Sequence, residues 1–267
     1  MVTDAEIAEY AAFAERLADA ATAVTLKYFR NPIDVVNKAA GEAFDPVTAA
    51  DRDAEAIIRA LITETYPDHG IFGEEHGQST ATLKNGPTWV IDPIDGTRAF
   101  ISGLPLWGTL IALNDGTRPV IGLIDHPATG ERFMGTPGQA TGNRQPIKTR
   151  ACTSLASAIL STTDPDLFLA GDERAAYDAV AAKVRLKRYG YDCYAYAMVA
   201  AGHLDLVIES GLQPYDVQAV IPVIEAAGGV MTSWSGGPAD QGGQVIAAGD
   251  RRLHAAALDI LRSAAKP

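Results

Sequence analysis

Trp89-Val90-Ile91-Asp92-Pro93-Ile94-Asp95-Gly96-Thr97 is the stretch on which the reading of this chain turns. Three apolar β-formers run into an acid, so Asp92 is expected to end a strand with its carboxylate leaving the sheet edge. Pro93 fixes φ and forces a turn, which lets Asp92 and Asp95 converge and frees the Ile94 carbonyl. Gly96 lets backbone approach an anion with no Cβ in the way. Gly96-Thr97 reads as a helix start, whose free N–H groups hold phosphate, and Thr97 offers a hydroxyl to a water. An Asp-Gly pair alone is a common turn. A strand before it and a helix after it make the whole stretch specific.

Two further acidic segments extend the pattern. Glu74-Glu75 follows the short strand Ile71-Phe72-Gly73. Neighbours on a strand point to opposite faces, so Glu74 is expected to join a common site as a bridging ligand, with Glu75 behind it or contributing weakly. Pro214-Tyr215-Asp216 places a third acid where a helix opens. An N-cap is the ordinary role there, and a metal ligand would look the same. Asp51, in the first turn of a helix after Val47-Thr48, complements the macrodipole by roughly 0.3–1 kcal/mol; a functional role would be to orient the Thr97 hydroxyl. Clustered carboxylates repel one another and resist losing water unless a cation joins them. Hard oxygen donors suit Mg2+, which keeps waters and takes substrate phosphate oxygens as ligands. Metal ligands beside an anion seat point to phosphate-ester chemistry.

Composition sets the frame. The 267 residues suffice for one large domain or two of ordinary size, and 47% hydrophobic with 21% charged residues reads as a soluble globular protein. The net charge of −11 argues against non-specific binding to nucleic acid or to an anionic membrane, but not against a phosphorylated small molecule held through metal. Cys152 and Cys193 are too few for a disulfide framework and form no CxxC, so reduced thiols and a cytoplasmic setting are expected. The acidic opening Thr3-Asp4-Ala5-Glu6 is unlike a signal peptide, and no apolar run approaches the roughly 20 residues of a membrane span.

Thr3 and Glu6 fit a capping box, and apolar residues at helical spacing carry a first helix to about Arg30. Residues 31–47 read as a loop or irregular hairpin. A second helix starts near Thr48, takes Ala54, Ile57, Ile58, Leu61, Ile62 and Thr65 as its apolar face, and ends at Pro67. Segments 107–113, 120–125 and 132–134 form a β meander. Beyond Lys148 strands at 158–161, 186–189, 206–209, 230–232 and 245–248 alternate with helices at 166–184, 195–201, 217–227 and 253–263. The expectation is therefore an α+β fold with an N-terminal half over 1–148, carrying the motifs and the meander, and a C-terminal α/β half over 149–267, supplying the last acid and the substrate pocket.

Gly73-Glu74-Glu75, the stretch from Trp89 to Thr97, Tyr215-Asp216 with Glu225-Ala226-Ala227-Gly228-Gly229, and Val47-Thr48-Ala49-Ala50-Asp51 together resemble the inositol monophosphatase-like family of Mg2+-dependent, lithium-sensitive phosphatases. The resemblance covers nearly the whole chain. It implies a layered αβαβα sandwich of the sugar-phosphatase type, a homodimer, and two or three Mg2+ ions. Glu74, Asp92 and the Ile94 carbonyl would hold the first ion, Asp92, Asp95 and Asp216 the second, and Glu74 with waters a weak third. Gly96 and Thr97 would hold the phosphate, while Glu74 and Thr97, supported by Asp51, would activate the attacking water and the second ion would stabilise the leaving alkoxide.

Within that family, Arg98-Ala99-Phe100, Asp192-Cys193-Tyr194-Ala195-Tyr196, Gly202-His203-Leu204-Asp205 and Gly211-Leu212-Gln213-Pro214-Tyr215-Asp216 look like the histidinol-phosphate phosphatase branch, with a departure at Tyr191, where a second Gly is usual. Histidinol carries an ammonium and an imidazole. Glu209 and Asp192 are acids that could pair with them, although an Asp at 192 also fits a helix N-cap. The alternatives are an inositol 1-phosphate phosphatase, a broader sugar or nucleotide phosphatase, and a non-enzymatic scaffold. A scaffold has no need to keep five clustered acids together with Asp51 and Thr97. His203 reads as structural, and Trp107 and Tyr194 as core or pocket wall.

Overall fold

The computed structural model describes residues 2–37, 46–79 and 86–266. In chain order they form α1 (Asp4–Tyr28), β1 (Val35–Asn37), β2 (Pro46–Thr48), α2 (Ala49–Thr65), β3 (Gly70–Gly73), β4 (Gly77–Gln78), β5 (Thr88–Asp95), α3 (Thr97–Ile101), β6 (Gly108–Asn114), β7 (Pro119–His126), β8 (Glu131–Thr136), β9 (Gln139–Gly142), β10 (Gln145–Pro146), β11 (Ile159–Thr162), α4 (Asp172–Ala181), β12 (Leu186–Tyr189), α5 (Cys193–Ala200), β13 (Leu206–Leu212), α6 (Pro214–Val217), α7 (Val220–Ala226), β14 (Val230–Ser233), β15 (Gly243–Ala248) and α8 (Arg251–Leu261).

The strands β3–β10 make one eight-stranded sheet in the order β10-β9-β8-β7-β6-β5-β3-β4, antiparallel except where β3 runs parallel to β5. The strands β11–β15 make a five-stranded sheet in the order β12-β11-β13-β15-β14, with β11 parallel to both β12 and β13. The period-2 pleat sorts their side chains into layers. Trp89, Ile91, Ile111 and Leu113 pack under α1 and α2 with Phe13, Leu17, Ile58 and Ile62. Their neighbours Val90, Leu110 and Ala112 face the other way, onto Tyr196 and Val199 of α5 and Val220, Val223 and Ile224 of α7. Val207, Val245 and Ala247 close on those helices from the small sheet, while Leu206, Ile208, Ile246 and Ala248 turn outward to Tyr177, Val180, Leu253 and Leu258 of α4 and α8. The order of layers is αβαβα, as the family resemblance implies.

The middle helical layer lies unusually close to the large sheet. Gly122 of β7 and Gly135 of β8 are cross-strand partners. A Cβ on Gly122 would stand 1.9 Å from the Ala219 carbonyl oxygen, and one on Gly135 would stand 2.3 Å from the Pro222 backbone. Only glycine admits that approach.

Local signals decide most boundaries. Thr3 and Glu6 exchange the two bonds of a capping box, Thr3 N–H to Glu6 Oε2 at 2.8 Å and Glu6 N–H to Thr3 Oγ1 at 3.3 Å. Residues 35–37 and 46–48 pair as an antiparallel ladder; the rest of the expected hairpin, 38–45, lies outside the described residues. The expected helix over 166–184 is shorter: α4 starts only at Asp172, because Gly171 takes φ 99°, and a single 3₁₀ turn precedes it. The helix expected over 217–227 divides into α6 and α7 around Gln218 and Ala219. The α8 helix starts two residues earlier than expected, since Asp250 caps it through Arg252 N–H at 2.9 Å. On α2 the buried face is Ala50, Asp51, Ala54, Glu55, Ile58 and Ile62, while Ile57 and Thr65 lie outside it. Among the described residues no helix is long and apolar enough to cross a membrane.

Candidate active site

The β5 strand does not stop at Asp92; it continues to Asp95 through a bulge. Asp92 pairs with Leu110 and Asp95 with Gly108, so three steps on β5 oppose two on β6. Residues three apart on a regular strand point to opposite faces, and the extra residue reverses that. Pro93 lacks the N–H a regular ladder would need, and its carbonyl instead accepts the buried Thr109 hydroxyl at 2.9 Å. The bulge therefore turns Asp92 and Asp95 toward the middle layer together, and the Ile94 N–H donates to Asp92 Oδ1 at 3.1 Å.

Asp216 arrives from the other half. It is the third residue of α6 rather than its N-cap, and its Oδ2 accepts the Gln213 N–H at 2.7 Å. Asp92, Asp95 and Asp216 each place a carboxylate oxygen within 4.8 Å of the others. Glu74 enters from the turn joining β3 to β4, its N–H donating to Ile91 O at 3.2 Å. It stands outside that group of three, near enough for its charge to act on both Asp92 and Asp216. Burial holds Asp92 well above the usual carboxylate range, and the charges of Glu74, Asp95 and Asp216 push it further. Burial does the same to Asp95, with Asp192 and Asp216 adding, and raises Asp216 to about 7. Such a cluster calls for protons or a cation.

Gly96 adopts φ 81°, in the left-handed region that favours glycine, and directly precedes α3. A Cβ there would touch the Asp192 carboxyl at 3.1 Å. The Thr97 hydroxyl donates to Ile94 O at 3.1 Å. The expected bond from Asp51 to Thr97 is not the one made. Asp51 forms a capping box with Thr48, its Oδ2 accepting Thr48 N–H at 2.8 Å and Thr48 Oγ1–H at 2.6 Å. Burial raises Asp51, against the lowering effect of those bonds, and Glu74 is near enough to add to the rise.

Asp95 Oδ2 accepts the Cys193 N–H at 2.6 Å, so a carboxylate of the large sheet caps α5. Asp192 occupies the N-cap position but makes no capping bond; its backbone sits at φ 45°, ψ −135°. Burial raises it to about 6, while the Arg98 charge and a hydrogen bond with Thr163 oppose the rise. Glu209 on β13 is buried. It accepts Thr163 N–H at 2.9 Å, the Thr163 hydroxyl at 2.7 Å and the Tyr196 hydroxyl at 3.0 Å, and burial raises it to about 7. These acids line a cavity of about 130 Å³ that opens beside Asp95 and Asp216 and is walled by Phe168, Tyr196 and Leu212. Trp107 belongs to the core with Ile94 and Phe100, and His203 is exposed. Cys152 and Cys193 are buried and form no disulfide.

Three residues of this site were not singled out from sequence. Thr163 follows β11 in a turn, and nothing but tertiary contact marks it. Tyr196 stands one helical turn past Asp192, a spacing that could have found it. Glu55 stands one turn past Asp51 on α2 and accepts the Glu75 N–H at 2.7 Å; an acid at that step within an apolar stripe was the available signal.

Comparison with known proteins agrees with this geometry. A family model described as the inositol monophosphatase family matches residues 6–266. The chloroplastic bifunctional phosphatase IMPL2 of Arabidopsis thaliana is 44% identical over 97% of this chain and 77% of its own length. A histidinol-phosphatase of Chlorobaculum parvum is 36% identical over 82% of this chain and 84% of its own. A solved inositol monophosphatase of Zymomonas mobilis superposes with a TM-score of 0.84 at 41% identity, covering 95% of this chain and 98% of that one.

Proposed function

The chain belongs to the inositol monophosphatase family and is a phosphatase, and we propose that it hydrolyses L-histidinol phosphate to L-histidinol and phosphate with Mg2+ at the carboxylate cluster. The observation that carries the substrate is the acidic cavity. Asp192 and Glu209 border the space beside Asp95 and Asp216, so the group leaving the phosphate meets carboxylates. An ammonium and an imidazole fit that lining; a neutral polyol would lose water to reach it without gaining a counter-charge.

The donor set suits Mg2+. The oxygens are hard and converge within 4.8 Å, where their charges repel unless a cation joins them. Asp92, Asp95, Asp216, Glu74 and the Ile94 carbonyl would hold two ions, and Glu74 with waters would hold a weaker third. Bound Mg2+ supplies neutralisation of the phosphate oxygens and a lowered pKa for the attacking water.

The chain's own groups do the rest. Gly96 and Thr97 present N–H groups of the first turn to a phosphate oxygen, with no side chain on Gly96 to hold it off. Glu74 takes up the proton of the attacking water, and the Thr97 hydroxyl oxygen orients that water by accepting a hydrogen bond from it. Thr97 keeps its orientation through the Ile94 carbonyl, and Asp51 stiffens the α2 start behind Glu74. Asp192 and Glu209 orient the leaving group by its positive charge, Glu209 being immobilised by three donors.

The test is phosphate release with Mg2+ from L-histidinol phosphate, myo-inositol 1-phosphate, fructose 1,6-bisphosphate and a 3′-phosphoadenosine nucleotide. A kcat/KM for histidinol phosphate at least about a hundredfold above the rest, equivalent to roughly 2.7 kcal/mol of transition-state binding, is expected. A flat profile, or a leading inositol phosphate, would keep the metal site and discard the substrate.

A further inference from the structure

Glu55 is a charged side chain with no exposed surface. Its two oxygens are fully engaged. Oε2 accepts the Glu75 N–H at 2.7 Å; Oε1 accepts the His76 N–H at 3.2 Å and the Arg59 guanidinium at 2.9 Å, and meets His76 Nδ1 at 3.2 Å. Arg59 also donates to the Gly77 carbonyl at 3.0 Å. Gly73 and Gly77 are paired ends of β3 and β4, so one carboxylate and its arginine hold the whole connecting turn, Glu74-Glu75-His76. Gly73 is glycine for the same reason: a Cβ there would lie 2.2 Å from Glu55 Oε1.

The consequence for Glu74 is geometric. The peptide on its N-terminal side is fixed by its own N–H on Ile91 O at 3.2 Å. The peptide on its C-terminal side is fixed by the Glu75 N–H on Glu55. With both flanking peptides held, the Cα–Cβ direction of Glu74 is set, and it leads to Asp92, next in sequence to the residue that receives the first bond. Stability alone does not call for this arrangement, because buried ion pairs are often matched by apolar residues of similar volume. A carboxylate aimed at the backbone of a single turn has a positional use.

Resting on the functional reading above, we infer that Glu55 is a positioning residue that presents Glu74 to the metal cluster, and that Arg59 holds Glu55 in place for that task. The experiment is Mg2+ binding to the full chain by calorimetry, at a temperature well below unfolding, for wild type, Glu55→Gln and Arg59→Met. The Glu55→Gln change keeps the volume and one acceptor while removing the charge and the second acceptor. It is expected to weaken Mg2+ binding by about tenfold or more, the usual effect of losing a group behind a ligand, and to raise the half-activating Mg2+ concentration in parallel. Arg59→Met, on a partly exposed side chain, weakens binding in the same direction by less, and decides the matter if Glu55→Gln does not fold. A merely structural Glu55 would lower the melting temperature and leave the Mg2+ affinity of the folded protein unchanged; that result overturns the inference. Wild type without Mg2+ affinity would overturn the functional reading along with it.

Discussion

If histidinol phosphate is the substrate, as proposed, replacing Glu209 by Gln should cost the enzyme its preference for that cationic leaving group. In the wild type, Glu209 Oε1 takes both Thr163 donors and Oε2 takes the Tyr196 hydroxyl. A glutamine can keep its carbonyl toward Thr163, and the Tyr196 hydroxyl can turn to accept from the new amide. The local structure is therefore largely kept while the charge is lost. An ion pair at about 4 Å in a partly wetted protein site is worth up to about 4 kcal/mol, and solvent entering from the cavity mouth reduces it toward about 2 kcal/mol. The ratio of kcat/KM for histidinol phosphate to that for inositol 1-phosphate should fall by roughly 30- to 1000-fold, since each 1.4 kcal/mol is about a factor of ten. Steady-state phosphate release with both substrates at saturating Mg2+ measures that ratio directly. An unchanged ratio in a folded variant would refute the reasoning and leave Glu209 as no more than an acceptor for Thr163 and Tyr196.

Asp92→Asn removes a carboxylate whose oxygen lies within 4.8 Å of those of Asp95 and Asp216, and should abolish Mg2+-dependent turnover; retained activity in a stopped phosphate assay would sink the site assignment. Metal-free protein should lose stability as pH rises. Glu209 and Asp216 sit near 7 and Asp192 near 6 in the folded chain, above the values of an unfolded carboxyl. The native state therefore binds more protons between the ordinary carboxyl range and pH 7, and the stability this confers in acid is lost as pH climbs through the folded values. For Glu209, moving from 4.5 to about 7, the upper limit is about 3 kcal/mol. Melting temperatures in chelator should fall between roughly pH 5 and pH 8, with the slope reduced by Mg2+; a flat chelator profile would contradict the buried-acid picture.

The residues that could be read from sequence are those whose signal is local. Thr3 with Glu6, the stretch around Asp92, and the alternation of β5, β6, β13 and β15 all rest on neighbours a few positions away. What escaped depends on partners distant in the chain. The convergence of Asp92 and Asp95 was expected from a turn at Pro93; what was not legible is that the strand continues and a bulge against β6 produces it. The bonds Asp51 makes go to Thr48, three residues away, a capping-box spacing that the sequence carries but that the reading toward Thr97 passed over. Glu55 reads as a solvated charge on a helix until the turn after β3 supplies its donors. The division of the segment after Gln213 into α6 and α7 follows from Pro222, which cannot bond the Gln218 carbonyl four residues back and so sits in the first turn of a new helix.

Assembly of the site depends on how the helical layer meets the large sheet. Asp92 and Asp95 belong to that sheet, Asp216 to α6, and Glu209 to the small sheet. Asp216 stands three residues before Ala219, whose carbonyl would lie 1.9 Å from a Cβ on Gly122. A side chain at Gly122 would thus force away the segment that carries Asp216, while Asp95 ties the same sheet to the start of α5 through Cys193 N–H at 2.6 Å. The first contact is set by the absence of an atom and the second by a charge-assisted hydrogen bond. Together they bring carboxylates of two separate sequence segments within 4.8 Å, against their mutual repulsion. The packing energy of the middle layer, spread over Val220, Val223, Ile224 and the Val90, Leu110 and Ala112 face of the sheet, is what offsets that repulsion until a cation takes over the task.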